Sequence, residues 1–259
     1  MNPLVTLPLV LFVVLLELAI GGVVAMVLIE RTAETPLGFL RLAAVVDVAA
    51  AALAALIAPS LPPEAEIAAR LSYLVAALMA VTFVATLAPW PRARQAVAAV
   101  TAIAGLALLL AASTARRGSD VNPYDVLALA ALPLGALALG GVDAAMLLGH
   151  WYLVTPKLSP RPLQTAALMF GVALLLQALL LALAYTRGFV ATAWDTNAAA
   201  TALRIFVGIA APLPIAFAAW WTARLNTQSS TGLLYVALGM VLAGEIMARM
   251  LFYVAGVPI

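Results

Sequence analysis

The chain predicts an all-α fold, a polytopic bundle of eight transmembrane helices. Three observations predict it. Hydrophobic residues make up 66% of the chain and charged residues only 9%, against about 25% charged in soluble domains. Eight apolar runs are each long enough to cross a bilayer. Prolines and most charges collect in the short connections between those runs.

A helix needs about 20 apolar residues to span a hydrocarbon core of about 30 Å. The runs are residues 4–29, 38–58, 68–90, 94–114, 123–154, 163–185, 197–222 and 230–255. The first follows Met1-Asn2-Pro3 directly, with no basic flank and no small-residue cleavage site. It therefore reads as a retained first helix. Pro36, Pro59, Pro62, Pro63, Pro91, Pro156, Pro160 and Pro162 punctuate the connections. Pro133, Pro212 and Pro214 fall inside spans, where proline is tolerated if neighbours satisfy the freed carbonyls. The last two predict a kink in the seventh span. A polar stretch, Asn226-Thr227-Gln228-Ser229-Ser230-Thr231, precedes the eighth, with Ser230 or Thr231 the expected cap. Every polar connection is short, so residues 1–259 read as a single integral membrane domain.

Orientation follows from the loop cations. One side, the basic face, holds Arg31, Arg92, Arg94, Lys157, Arg161 and Arg224, with Glu30 and Glu34. The other, the acidic face, holds Arg70, Arg116, Arg117 and Arg187, with Glu64, Glu66, Asp120, Asp125 and Asp195. The basic face is expected to be cytoplasmic, which puts both termini outside. A pseudo-repeat of 1–118 on 119–259 is a further expectation. Ala19-Ile20-Gly21-Gly22-Val23 reads like Ala138-Leu139-Gly140-Gly141-Val142, and two like-oriented units would form a parallel repeat. Gly-Gly pairs at close helix contacts explain the same similarity without duplication.

Composition also excludes. The net charge of +2, with no basic arm, gives no footing for nucleic acid. No cysteine is present, so disulfides, thiolate metal sites and iron–sulfur ligation within this chain are excluded. A lone histidine excludes bis-histidine haem ligation within it.

Function must then rest on the ionisable residues within or at the ends of the spans: Glu17, Asp47, Asp143, His150, Arg204, Glu245 and Arg249. A charge at bilayer depth costs a few kcal/mol, so such residues face a bundle interior and often mark a pathway. Asp143 and His150 are seven residues apart, on one helix face and about 10.5 Å apart along the axis. His150, beside Trp151 and Tyr152, lies at the end of the fifth span, where aromatic residues suit the interface and an imidazole can exchange protons near neutral pH. Glu245 and Arg249 have ion-pair spacing, and Arg204 lies at similar depth. If both arginines share Glu245, one cation is left over as a handle for a carbonyl or an anion. Glu17 and Asp47, near mid-membrane, either extend a proton relay or act as hydrogen-bond donors between packed helices.

The end of the eighth span, Gly244-Glu245-Ile246-Met247-Ala248-Arg249-Met250-Leu251-Phe252-Tyr253, resembles the membrane anchor of dimethyl sulfoxide reductase. Leu11-Phe12 and Gly21-Gly22 in the first span are similar too. The order of eight spans is similar to anchors of the polysulfide reductase and dimethyl sulfoxide reductase type. The single histidine and the Gly149-His150-Trp151-Tyr152 run depart from that pattern. The resemblance implies two four-helix bundles, no haem, and exchange of electrons between a quinone and a partner iron–sulfur subunit.

Together these readings give an expected function. The chain is an integral subunit of a respiratory or redox complex in the bacterial plasma membrane, not catalytic alone. It binds menaquinone or ubiquinone at His150, Trp151 and Tyr152 and routes protons through His150 and Asp143. Iron–sulfur or cytochrome partners carry the electrons. A proton-coupled transporter built on the same relay, and a purely structural subunit, are the rival readings.

Overall fold

The computed structural model describes residues 3–32, 34–115, 125–155 and 158–259, with side chains from Leu7 onward. Arg116, Arg117, Asp120, Pro123, Pro156 and Lys157, which enter the topology argument, lie outside the described residues.

Among the described residues every regular element is helical. The helices are α1 (Pro3–Glu30), α2 (Leu37–Ile57), α3 (Glu66–Leu87), α4 (Pro91–Ser113), α5 (Val126–Val154), α6 (Arg161–Thr186), α7 (Phe189–Thr196), α8 (Ala198–Ala202), α9 (Pro212–Thr222) and α10 (Thr227–Val254). A π-helical segment, Leu203–Ala210, joins α8 to α9, and these three pieces form the seventh span. Eight helical stretches are long and apolar enough to cross a membrane. The chain is thus an all-α, multi-pass membrane protein.

The expected spans match these helices, with differences at the ends. The cap of α10 is Asn226, whose Oδ1 accepts from the backbone N–H of Gln228 and Ser229. The expected caps, Ser230 and Thr231, already sit inside the helix: the Ser230 hydroxyl donates to the Ala219 carbonyl of α9, and that of Thr231 to the Thr227 carbonyl of its own first turn. Asn226→Ala should therefore lower thermal stability in detergent by about 1 kcal/mol, and Ser229→Ala should not. The short α7 was not legible. It follows Gly188, whose φ of 77° closes α6 in a left-handed turn.

The seventh span departs from a regular α-helix ahead of its two prolines. Pro212 and Pro214 have no N–H for the carbonyls of Gly208 and Ala210. The ladder widens instead, and the Ala211 N–H reaches the Phe206 carbonyl at 2.9 Å, an i→i−5 bond. Such π segments are frequent at functional sites, and this one carries Arg204.

Packing divides the spans into two four-helix bundles. In the first, α1 packs on α2 and α4, and α3 packs between those two. In the second, α5 packs on α6 and α10, and the seventh span packs between them. The bundles join along α1 and α5, flanked by α10 on α1 and α4 on α5. At the centre Gly21 and Gly140 meet backbone to backbone. A Cβ on Gly21 would lie 1.7 Å from the Ala136 carbonyl oxygen, and one on Gly140 would lie 2.3 Å from the Gly21 carbonyl carbon. Small residues permit such approaches where lipid supplies no hydrophobic drive between helices. Gly208 and Gly244 make a second such crossing between the π segment and α10, with a Cβ on Gly244 2.2 Å from the Gly208 Cα.

Ion pairs hold each end. Arg94 pairs with Glu30, and Arg161 lies 3.3 Å from Glu34, both on the basic face. Arg187 lies 2.6 Å from Asp125 on the acidic face.

Candidate functional site: a polar column along α5

The ionisable residues of the interior fall at three levels along α5. The level towards the acidic face joins both bundles. Glu17 of α1, Gln177 of α6, Arg204 of the π segment, and Glu245 and Arg249 of α10 are all at most 1% exposed. Glu245 is the hub. Its Oε1 accepts from Arg204 Nη1 at 2.8 Å and Gln177 Nε2 at 2.7 Å, and its Oε2 accepts from Arg249 Nη2 at 3.0 Å. Arg249 also donates to the Ala131 carbonyl at 3.2 Å. Its Nε lies 3.2 Å from Glu17 Oε1, in ion-pair range but without hydrogen-bond alignment. Gly135 of α5 makes room for both acids, since a Cβ there would meet Glu17 Oε1 at 2.6 Å and Glu245 Oε2 at 2.7 Å.

This cluster corrects the expected surplus cation. Glu17 does not stand apart at mid-membrane with Asp47. It supplies the second carboxylate, and two acids balance two arginines. The formal charges cancel, yet the cluster's hydrogen bonding is incomplete. Both oxygens of Glu17, Oε1 of Gln177, Nε of Arg204, and Nε and Nη1 of Arg249 are buried without a hydrogen-bond partner among the described residues. Buried polar atoms of this kind are costly, and an ordered water needs two to four such partners. The cluster has the donors and acceptors to hold water.

The middle level is Asp47 of α2 and Asp143 of α5, which are 2% and 7% exposed and within electrostatic reach of each other. Asp47 Oδ1 packs on Gly22, whose absent Cβ would lie 2.0 Å away, and Asp47 Oδ2 has no partner. Here Gly22 does for a carboxyl what Gly21 does for a backbone.

The third level, near the basic face, is His150. It is exposed, and its Nδ1 lies 2.8 Å from the hydroxyl of Tyr235 of α10, ring edge to ring face. Its neighbours point elsewhere, as successive helical residues must. Trp151 packs on α2, where a Cβ on Gly38 would meet its ring at 2.3 Å. Tyr152 is buried, and its hydroxyl donates to the Ser159 carbonyl. The expected trio therefore does not share one surface, and the aromatic beside His150 is Tyr235.

Along α5, Gly135 to Asp143 is eight residues and Asp143 to His150 is seven. The levels are thus about 12 Å and 10.5 Å apart at 1.5 Å rise per residue. Neither gap is spanned by direct contact between the named side chains, so a proton passing between levels needs water or another group. Among the described residues no three His, Asp or Glu side chains converge to hold a metal ion. Gln177 and Tyr235 were missed in the sequence. Gln177 carried a signal, a lone amide deep in an apolar run. Tyr235 carried none, because its partner is 85 residues away.

No protein-family model, curated protein or solved structure matches the chain.

Proposed function

We propose that this chain is the quinone-serving, proton-routing membrane subunit of a redox complex whose partners carry the electrons. The observation that supports it is the polar column, with three levels of ionisable groups between the two faces and unpaired polar atoms at the two buried ones. Ionisable groups inside a membrane are retained where they serve a pathway or a site. A column of acids with room for water is what proton delivery to a quinone requires. Reduction of a quinone to quinol takes up two electrons and two protons. The electrons must come from elsewhere, since this chain has no cysteine and one histidine.

The quinone head group belongs at His150 and Tyr235. Both are exposed, so on this reading a head group carried in lipid reaches the imidazole Nε2. With Nδ1 and the Tyr235 hydroxyl sharing one hydrogen bond, Nε2 is free to bond a quinone carbonyl, and the pair can pass a proton to it. Asp143 lies behind His150 on the route to the cluster. On this reading the basic face is cytoplasmic and both termini lie outside.

Isolation from native membranes in mild detergent, with identification of co-purifying subunits, tests the reading. Iron–sulfur or cytochrome subunits should accompany the chain. In the assembled complex Asp143→Asn should slow quinone turnover about a hundredfold, the low end for loss of a positioned proton-transfer group. A chain that purifies alone, or an assembled Asp143→Asn complex with wild-type turnover, contradicts it. Purification alone, with substrate uptake driven by a proton gradient, would favour the transporter reading.

A further inference from the structure

A second site lies on the outer side of the second bundle, away from the column. Between α6 and α9 an apolar groove of about 310 Å³ opens to lipid. Gly171 and Ala216 form its floor, and Leu168, Leu175 and Phe217, all largely exposed, form its rims. From Ala167 to Leu175 it runs for roughly 12 Å along α6. Apart from the indole of Trp220 at one end, its lining offers nothing polar to hold a head group within the membrane.

The polar groups stand at one end. Trp220 closes the groove towards the basic face, and the Arg224 guanidinium stacks over its ring, 4.1 Å from the centroid. Arg224 is exposed, and among the described residues no carboxylate pairs with it. It borders a hollow of about 380 Å³ shared with Pro160, Asn226 and Gln228. Asn226 spends its Oδ1 on the α10 N-terminus, which leaves its amide N–H groups as donors. A guanidinium stacked on an indole keeps its edge of N–H donors open, and that fork fits a phosphate.

We propose that this is a binding site for an anionic phospholipid, with one acyl chain in the α6–α9 groove and the phosphate on Arg224. The arrangement is an unpaired cation at head-group depth directly above an apolar slot between two spans. Basic pockets between spans on a cytoplasmic face bind anionic head groups. A zwitterionic lipid fills the slot equally well and offers the same phosphate, but its ammonium group offsets that phosphate's attraction for Arg224, so the anionic lipid binds in preference.

The test uses the full chain, delipidated in detergent, returned to nanodiscs of mixed phosphatidylcholine and phosphatidylglycerol, and re-extracted. Lipid retained per chain is then measured by mass spectrometry. The wild type should retain phosphatidylglycerol in preference to its share of the disc. Arg224→Gln should reduce that preference about tenfold, as loss of a charge-assisted phosphate contact does. Arg92→Gln, an exposed cation on the same face, should not. Gly171→Leu fills the slot and should lower retention of both lipids. If that variant fails to fold, the same reading comes from wild-type thermal stability, which phosphatidylglycerol should raise and phosphatidylcholine should not. Retention in the proportions of the disc, or an unchanged preference in Arg224→Gln, overturns the proposal. So does a co-purifying polypeptide that cross-links to the α6–α9 groove.

Discussion

Arg249→Leu should destabilise the protein by about 3–5 kcal/mol, the usual cost of removing one partner from a buried ion pair. The substitution takes one guanidinium from a cluster of two acids and two arginines that is closed to solvent. Glu17 loses the cation it lies against and Glu245 one of two, leaving the acids in excess in the interior. Glu245→Leu/Arg249→Leu should be milder than the single change, because it removes one charge of each sign. It leaves Glu17 and Arg204, which still balance. Thermal unfolding in one detergent, with expression level as a second readout, orders the variants. A double variant as unstable as the sum of the two singles would show that the residues do not act as a unit.

Gly140→Val should abolish the docking of the two bundles. Even the first added carbon would lie 2.3 Å from the backbone of Gly21, and backbone cannot move aside as a flexible side chain can. Overpacking against side chains costs about 1–3 kcal/mol. Here α1 and α5 must separate, and with them Glu17 and Gly135, which these helices contribute to the cluster. The expected result is loss of monodisperse protein in size-exclusion chromatography. Gly239→Ala is the control, because a Cβ there meets nothing within 4 Å. A folded, monodisperse Gly140→Val protein would contradict the close crossing.

Both effects rest on features only partly legible in the chain. The spans were readable because length and apolarity are local properties, and the proline-rich joints confine their ends. The Glu245–Arg249 pair was readable because a helix brings residues four apart together. Glu17 was not assigned correctly. Its partner Arg249 lies at the other end of the chain, and nothing local distinguishes an acid in a cluster from a solitary one. That single contact leaves no arginine in surplus. His150 and Asp143 do lie along α5 at the expected spacing, but one is exposed and bonded to α10 while the other is buried beside α2. A helix period places residues on a face. Which neighbour occupies that face depends on how the bundles cross, and the Gly21–Gly140 contact decides that. The similarity of those two glycine pairs was visible in the sequence, whereas their direct contact was not.

The central claim is that a quinone meets the polar column at His150 and Tyr235, and photoaffinity labelling tests it most directly. The chain, purified in mild detergent with whatever subunits accompany it, is illuminated with an azido-quinone, digested, and the labelled peptides are identified by mass spectrometry. The account predicts labelling concentrated on the peptides that carry His150 and Tyr235, suppressed by excess unmodified quinone and strongly reduced in His150→Ala. Labelling spread over the lipid-facing apolar surface, insensitive to competing quinone and unchanged in His150→Ala, would contradict it.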